Sequence, residues 1–352
     1  MGIVYNLETI HSCKENLVFW MTMSFQNHKK YLNKEYIMTK RIAFLFPGQG
    51  SQAVGMGKDL YDNFGSAKSV FDTADKVLGK SITTLCFEGP EDALKQTVNT
   101  QPCIVTMSIA ALEALKSQLN VKPDFVAGHS LGEYCAMYSA GVMSLDTALK
   151  AIQKRADLMG ATHGGAMSAI LNAPEGALEE ALKEASQVGY VDVANYNSPA
   201  QVVITGDEAA VAKAGELLLA KGARRVVPLA VSGAFHSKFM ENAGHEFEAF
   251  VSELELNNAQ IPVVTNVDAS ATTESSDFRA KMPKQIYSSV HWTQTIQKMA
   301  SEGVEIFVEI GPGKVLAGLN KKIAPEAKVF NIYDKASLDA TVQSLKEELV
   351  CV

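Results

Sequence analysis

The sequence is short of positive charge. Its 352 residues carry 32 Lys and Arg against 39 Asp and Glu, a formal net charge of −7. No Lys/Arg-rich run is interleaved with aromatics, and nucleic-acid binders are usually basic, so that class is argued against. Cysteine is scarce and scattered. Cys13, Cys86, Cys103, Cys135 and Cys351 are odd in number and form no Cys-x-x-Cys pair. Neither a disulfide framework nor a zinc knuckle is expected, a reducing cytoplasmic setting is the default, and Cys135 reads as a small core residue. No His-Glu-x-x-His or EF-hand pattern occurs, so no metal is expected. Gly311-Pro312-Gly313-Lys314 lacks the spacing of a Walker A loop. Long apolar runs are missing too. Leu17-Val18-Phe19-Trp20-Met21-Thr22-Met23 is too short to span a bilayer and has no small-x-small cleavage site behind it. Internal repeats and low-complexity stretches are not found.

What is present suits a soluble globular chain: 47% hydrophobic and 20% charged residues, and length for one large domain or two. Residues 1–37 have neither turn punctuation nor clear periodicity. They are expected to be an extension outside the fold, with Met38-Thr39-Lys40-Arg41 as a natural start.

From there the pattern alternates strand and helix. Arg41-Ile42-Ala43-Phe44-Leu45-Phe46 is a continuous apolar run, as a buried parallel strand requires. Helical segments follow to about residue 78. Residues 102–119 have apolar residues at helical spacing and predict a long, largely buried helix. Residues 144–158 predict another, with Ser144 as N-cap. Between about 165 and 230 the predicted order is strand 166–171, helix 174–185 with Pro174 in its first turn, strands 191–194 and 201–204, helix 207–220 and strand 224–229. That βαββαβ order is the ferredoxin-like unit, here inserted in a larger α/β region. Strand 261–265, a helix around 278–300, strand 305–309, a last helix near 314–323 and strand 328–333 complete the reading.

The most informative feature is Gly128-His129-Ser130-Leu131-Gly132. It is a Gly-x-Ser-x-Gly pentapeptide between the short apolar strand Phe125-Val126-Ala127 and a helical run from Glu133. A serine at a tight strand-to-helix turn projects its hydroxyl clear of the sheet, and the helix N-terminus adds N–H groups that can face a developing negative charge. The bare motif occurs by chance in many proteins; the strand before it and the helix after it favour the catalytic reading.

A serine nucleophile needs a base. Of the seven histidines, His11 and His28 lie in the extension, and His129 sits inside the elbow, expected to point away from the serine. His236, on a Gly-containing loop between a strand and a helix, leads ahead of His163 and His291. For a third member that would orient the imidazole, Asp192, Asp207 and Asp268 lie near strand ends and no spacing selects one. The Gly48-Gln49-Gly50-Ser51-Gln52-Ala53 loop matches a dinucleotide fingerprint only weakly, because Asp72 and Asp75 fall in a helical stretch rather than after a second strand. It fits better as a source of an oxyanion-hole N–H at Gln49, beside that of Leu131. Arg155 on a helix would ordinarily be solvated; a buried arginine there would be a fork for a substrate carboxylate.

Together these segments resemble the malonyl-CoA:acyl-carrier-protein transacylases of bacterial fatty-acid synthesis and the related acyltransferase domains of polyketide synthases. The resemblance runs from about Lys40 to the C-terminus. It is carried in order by Phe46-Pro47-Gly48-Gln49-Gly50-Ser51-Gln52, Gly128-His129-Ser130-Leu131-Gly132-Glu133-Tyr134, Arg155, Asn195-Tyr196-Asn197-Ser198-Pro199, Gly233-Ala234-Phe235-His236-Ser237 and Glu309-Ile310-Gly311-Pro312-Gly313-Lys314-Val315-Leu316.

The resemblance implies an α/β-hydrolase-like large subdomain, 38–164 with 231–352, and a ferredoxin-like small one, 165–230, with the active site between them. It implies Ser130 as nucleophile, His236 as base, Arg155 as partner of the malonyl carboxylate, and Gln49 and Leu131 as oxyanion-hole donors. The histidine would be oriented by a backbone carbonyl, assigned to His291, rather than by a carboxylate. Phe235 and Asn197 would line the substrate pocket. The implied substrate is malonyl-CoA, with no bound cofactor. The implied partner is a holo, phosphopantetheinylated acyl carrier protein, and neither nucleic-acid binding nor membrane insertion is implied. Alternatives are a different acyl-CoA in polyketide-type synthesis, a serine thioesterase or esterase with no need of Arg155, and a carrier-binding protein without catalysis. A local basic patch near the gorge, including Lys314, Lys321 and Lys322, is expected to meet the acidic carrier.

Overall fold

The computed structural model describes residues 40–231 and 233–348. The extension expected at 1–37 lies outside the described residues. Ten strands are found among the described residues: β1 (Arg41–Phe46), β2 (Phe125–Gly128), β3 (Ala166–Leu171), β4 (Val191–Ser198), β5 (Gln201–Gly206), β6 (Arg225–Pro228), β7 (Val263–Val264), β8 (Ala271–Thr272), β9 (Val304–Ile310) and β10 (Lys328–Ile332). They form two sheets, one of order β10-β9-β1-β2-β7-β8 and one of order β4-β5-β3-β6.

The first sheet is parallel except for β8. β1 lies between β9 and β2, and from Ile42 to Phe46 it is almost fully buried. A central parallel strand is covered on both faces, which is why its sequence is continuously apolar rather than alternating. Leu45, Phe125, Val264, Trp292, Ile296 and Phe307 belong to one core cluster on this sheet.

The long helix α1 (Thr97–Gln118) is buried nearly all round, as a helix packed between other layers must be. It begins five residues before the predicted start, so Pro102 falls inside it. Proline cannot donate to the carbonyl four residues back, that of Val98. That oxygen accepts instead from Lys80 Nζ at 3.2 Å and Gln153 Nε2 at 3.3 Å. Ser144 caps the helix α2 (Leu145–Ala161) by accepting from the Thr147 N–H, as expected.

The second sheet is wholly antiparallel, and its strands are joined in the predicted βαββαβ order. Its strand order is that of the ferredoxin-like unit. Ile170, Ile204, Ala181, Ala214 and Leu218 pack its strands against the helices Ala177–Ala185 and Glu208–Ala220. The first of these starts three residues after the expected Pro174, because Gly176 at φ 73° breaks the helical path.

The largest departure is between 275 and 301, where one expected helix is two: α3 (Ser275–Tyr287) and α4 (Trp292–Ser301). The backbone of Val290 pairs with β4 instead of continuing a helix. Its N–H donates to the Ala194 carbonyl at 2.8 Å, and its carbonyl accepts the Tyr196 N–H at 2.9 Å. Strand β8 and the helix Lys335–Glu348 were not anticipated.

Candidate active site

Ser130 sits at the turn between β2 and the helix Gly132–Ser139. The two flanking glycines are required by close approach. A Cβ on Gly128 would lie 1.9 Å from the Gly132 carbonyl carbon, and one on Gly132 would lie 2.2 Å from the Phe46 carbonyl oxygen. Ser130 itself is left-handed, with φ 51°. A non-glycine residue held there costs about 1–3 kcal/mol and points to a site where geometry matters more than relaxation.

The hydroxyl this turn presents has two partners. Ser130 Oγ lies 2.8 Å from His236 Nε2, and Arg155 Nη2 donates to it at 2.9 Å. His236 Nδ1 faces the carbonyl oxygens of Gln285 at 3.0 Å and Ser288 at 3.2 Å. Carbonyls only accept, so Nδ1 carries the ring proton and Nε2 is left to accept from the serine hydroxyl. Burial pushes His236 down to about 3, with the Arg155 charge adding to it. The imidazole is therefore neutral, with Nε2 unprotonated and facing the serine hydroxyl.

These carbonyls correct the expectation for His291. Its own carbonyl accepts the Thr295 N–H at 2.9 Å, in the first turn of α4, and its ring stacks on Tyr196. The helix break is the reason: the end of α3 leaves carbonyls without helical donors, and two of them face His236.

Arg155 is 1% exposed, so the solvated reading fails. Its Nη1 donates to Gln101 Oε1 at 2.6 Å and its Nη2 also donates to Gln285 Oε1 at 3.0 Å. The guanidinium lies 5.8 Å over the Tyr134 ring, and its Nε has no partner among the described residues. Burial lowers its affinity for a proton, yet an arginine remains cationic. Its hydrogen-bond partners among the described residues are all neutral. A buried cation without a carboxylate at ion-pair distance among the described residues is an anion site in waiting.

Ser130, His236, Arg155, Gln101, Gln49 and Phe235 line one cavity of about 110 Å³, together with His129, Met159, Met167, Asn195, Leu229 and Val231. The backbone N–H groups of Gln49 and Leu131 have no acceptor among the described residues. Asn197 does not line this cavity. Its Oδ1 lies 2.8 Å from His129 Nε2, and the wall position belongs to Asn195. His129 is among the residues around the cavity, with its ring held by Asn197 and 5.5 Å from the buried Trp292, and no hydrogen bond joins it to Ser130 Oγ among the described residues. His163 is exposed. None of Asp192, Asp207 and Asp268 bonds His236; Asp268 pairs with Lys281 at 2.9 Å.

Gln101 and Gln285 were missed. Gln101 is a polar residue in an otherwise buried stretch of helix, a signal that marks a buried polar partner without saying for what, whereas Gln285 lies beside the exposed Lys284 and carries no such signal. The Glu309-to-Leu316 motif is explained by capping. The Glu309 carboxylate accepts the Leu316 and Ala317 N–H groups at 2.9 and 2.8 Å, at the N-terminus of the helix Val315–Ile323. Among the described residues no group of three or more His, Cys, Asp and Glu could hold a metal, and no helix is long and apolar enough to cross a membrane.

The parallel-dominated sheet with a separate antiparallel sheet is also the arrangement of solved malonyltransferases. The family model described as acyl transferase domain matches residues 43–338. The malonyl CoA-acyl carrier protein transacylase of Bacillus subtilis is 43% identical over 312 residues, 88% of this chain and 98% of the relative. An acyl carrier protein S-malonyltransferase from Vibrio cholerae superposes with a TM-score of 0.83 at 41% identity, covering 86% of this chain and 99% of the other. A malonyl-transacylase solved in complex with a holo type II polyketide acyl-carrier protein gives 0.84 at 36% identity, with the same coverage. The chain belongs to the acyl transferase domain family, in its malonyl CoA-acyl carrier protein transacylase branch.

Proposed function

We propose that this chain transfers the malonyl group of malonyl-CoA to the phosphopantetheine thiol of an acyl carrier protein, through a malonyl ester on Ser130, for fatty-acid biosynthesis. The single observation that carries the reading is the Ser130 hydroxyl held at once by a neutral histidine, 2.8 Å away, and by a buried, carboxylate-free arginine, 2.9 Å away.

In the first half-reaction Ser130 Oγ attacks the thioester carbon while His236 Nε2 takes the hydroxyl proton. The carbonyl oxygen becomes an oxyanion facing the N–H groups of Gln49 and Leu131, an interaction worth about 2.7–4 kcal/mol for a donor of this kind. The C–S bond breaks, and the CoA thiolate takes the proton from His236. Arg155 holds the malonyl carboxylate, which replaces neutral oxygens around the guanidinium with an ion pair. In the second half the carrier thiol attacks the ester and gives its proton to His236, and Ser130 Oγ leaves with that proton. No step calls for a resident cofactor. Phe235 is assigned to the pocket wall, where its ring leaves little room for a 2-methyl branch.

The residues that carry the two sheets support the division read from the sequence: 38–164 and 231–352 as the larger part, 165–230 as the smaller. The reading places the enzyme in the cytoplasm, with its carrier docking on the face bearing the exposed Lys314, Lys321 and Lys322. Intact mass after brief incubation with malonyl-CoA, then with holo acyl carrier protein, tests the reaction. A malonyl adduct on Ser130 that moves to the carrier is expected. Free acid without an adduct would make the chain a hydrolase, and an adduct from acetyl-CoA but not malonyl-CoA would overturn the substrate.

A further inference from the structure

Ser130 keeps its left-handed backbone only because its surroundings over-determine it. They converge on a side chain that the reaction itself does not use. Asn266, two residues past the end of β7, is fully buried. Its Oδ1 accepts the Ser130 N–H at 2.7 Å, and its Nδ2 donates to the Gly128 carbonyl at 2.7 Å. Asn266 is fixed in turn. Its own N–H donates to Glu133 Oε2 at 2.6 Å, and its carbonyl accepts the His291 N–H at 3.0 Å. The loop that carries it is pinned by Asp268, which accepts from Thr265 Oγ1 at 2.8 Å and pairs with Lys281. Asp268, one of the carboxylates open as a triad member on sequence grounds, therefore acts on the loop and not on the imidazole.

We propose that Asn266 is a positioning residue for acyl transfer: its carboxamide clamps the Gly128–Ser130 backbone in the turn that aims Ser130 Oγ at His236 Nε2. This rests on Ser130 being the nucleophile. The residue type follows from the two groups served. The Ser130 N–H needs an acceptor and the Gly128 carbonyl needs a donor, and one carboxamide supplies both in a single plane. Aspartate offers only acceptors when ionised, and alanine offers neither. The clamp also decides which N–H can meet the oxyanion. That of Ser130 is occupied, so the role falls to the next one, at Leu131, which has no acceptor among the described residues.

The test uses the full chain with Asn266→Ala and Asn266→Asp. Two rates are read: labelling of Ser130 by a fluorophosphonate, and formation of the malonyl adduct by rapid quench and intact mass. Both should fall about ten- to a hundredfold. The malonyl-CoA concentration for half-saturation, which on the proposed reading depends on Arg155, should stay within about twofold, the pattern of an interaction that acts on the chemical step alone. A folded variant that acylates at the wild-type rate overturns the proposal, as does a loss confined to half-saturation. A third measurement needs no variant. In the wild-type protein, amide hydrogen exchange resolved by residue should be slower at Ser130 than at Leu131, and equal or faster exchange at Ser130 overturns the clamp. Wild-type enzyme that takes the fluorophosphonate but no malonyl would refute the substrate reading, while the labelling rates would still decide the role of Asn266.

Discussion

Acidification from about pH 8 to about pH 5 should leave acylation of Ser130 nearly unchanged, although a histidine is the proposed base. An imidazole with the ordinary value near 6.5 would be neutral in only about 3% of molecules at pH 5, a loss of about thirtyfold in active base. His236 is pushed down to about 3, first by burial, then by the Arg155 charge, with the Gln285 carbonyl pulling the other way. At that value about 99% of it is still neutral at pH 5. Stability must survive the same range, and the signs oppose. The folded value of His236 is depressed, so the unfolded chain binds the extra proton between about 6.5 and 3, and stability is lost as pH falls through that window, about 2 kcal/mol by pH 5. Glu133 and Glu309 are raised by burial to about 7, so the folded chain binds the extra protons, and each returns about 2–3 kcal/mol as pH falls from 7 towards 5. The net change leaves a folded enzyme. Rapid mixing with malonyl-CoA, acid quench and intact mass across the range, with circular dichroism at each pH, gives the profile. An acid limb centred near pH 6.5 in folded protein would refute the reasoning. Arg155→Met, by removing the second cause of the depression, should move the limb towards neutrality.

Ser130→Ala should give no adduct with malonyl-CoA, and normal turnover in that variant would remove the nucleophile assignment. Arg155→Ala should slow malonyl acylation by about a hundredfold, through loss of a buried charge-assisted pair, and should narrow the preference for malonyl over acetyl groups. An unchanged preference would count against the clamp. Gly132→Ala forces a Cβ to 2.2 Å from the Phe46 carbonyl oxygen, so the melting temperature should drop by the equivalent of about 1–3 kcal/mol and acylation should slow with it. Wild-type melting and rate together would show that the elbow tolerates the methyl. Replacing Lys314, Lys321 and Lys322 by glutamine should reduce the salt dependence of transfer to the carrier while acylation by malonyl-CoA is kept. Transfer with unaltered salt dependence would move the docking face elsewhere.

The parts that sequence made legible are those with a local pattern. β1 reads as a buried parallel strand because every residue from Ile42 to Phe46 is apolar, and the Gly128–Gly132 spacing announces a turn that only glycine can flank. The βαββαβ order is visible because each element has its own period and punctuation. What stayed hidden depends on pairing across the chain. The split between α3 and α4 is imposed by Val290 joining β4, nearly a hundred residues earlier, and no local signal announces that contact. The orienting carbonyls of Gln285 and Ser288 follow from that split, so their assignment to His291 failed for the same reason. Backbone groups carry no residue identity, and a site that relies on them is invisible to a search for side-chain triads.

One physical theme connects the missed residues. Among the described residues, every hydrogen-bond partner of Arg155 and His236 is neutral: the amides of Gln101 and Gln285, the hydroxyl of Ser130, and two backbone carbonyls. A carboxylate in the place of those carbonyls would orient His236 equally well. It would also raise the imidazole towards its charged form and offer Arg155 a permanent counter-ion. Either change would blunt the site, the first by protonating the base and the second by filling the anion site before substrate arrives. Glu133, in the first turn of the helix after the elbow, is pushed up to about 7 by burial, and its Oε2 accepts the Asn266 N–H. On the proposed reading, the carboxylate that pairs directly with Arg155 is the one the malonyl group brings. If Arg155 is the malonyl partner proposed above, selectivity needs no pocket that measures acyl length: an acetyl group would leave the buried cation with its neutral partners, whereas malonyl would provide the ion pair, and the difference would be available at the step where Ser130 is acylated.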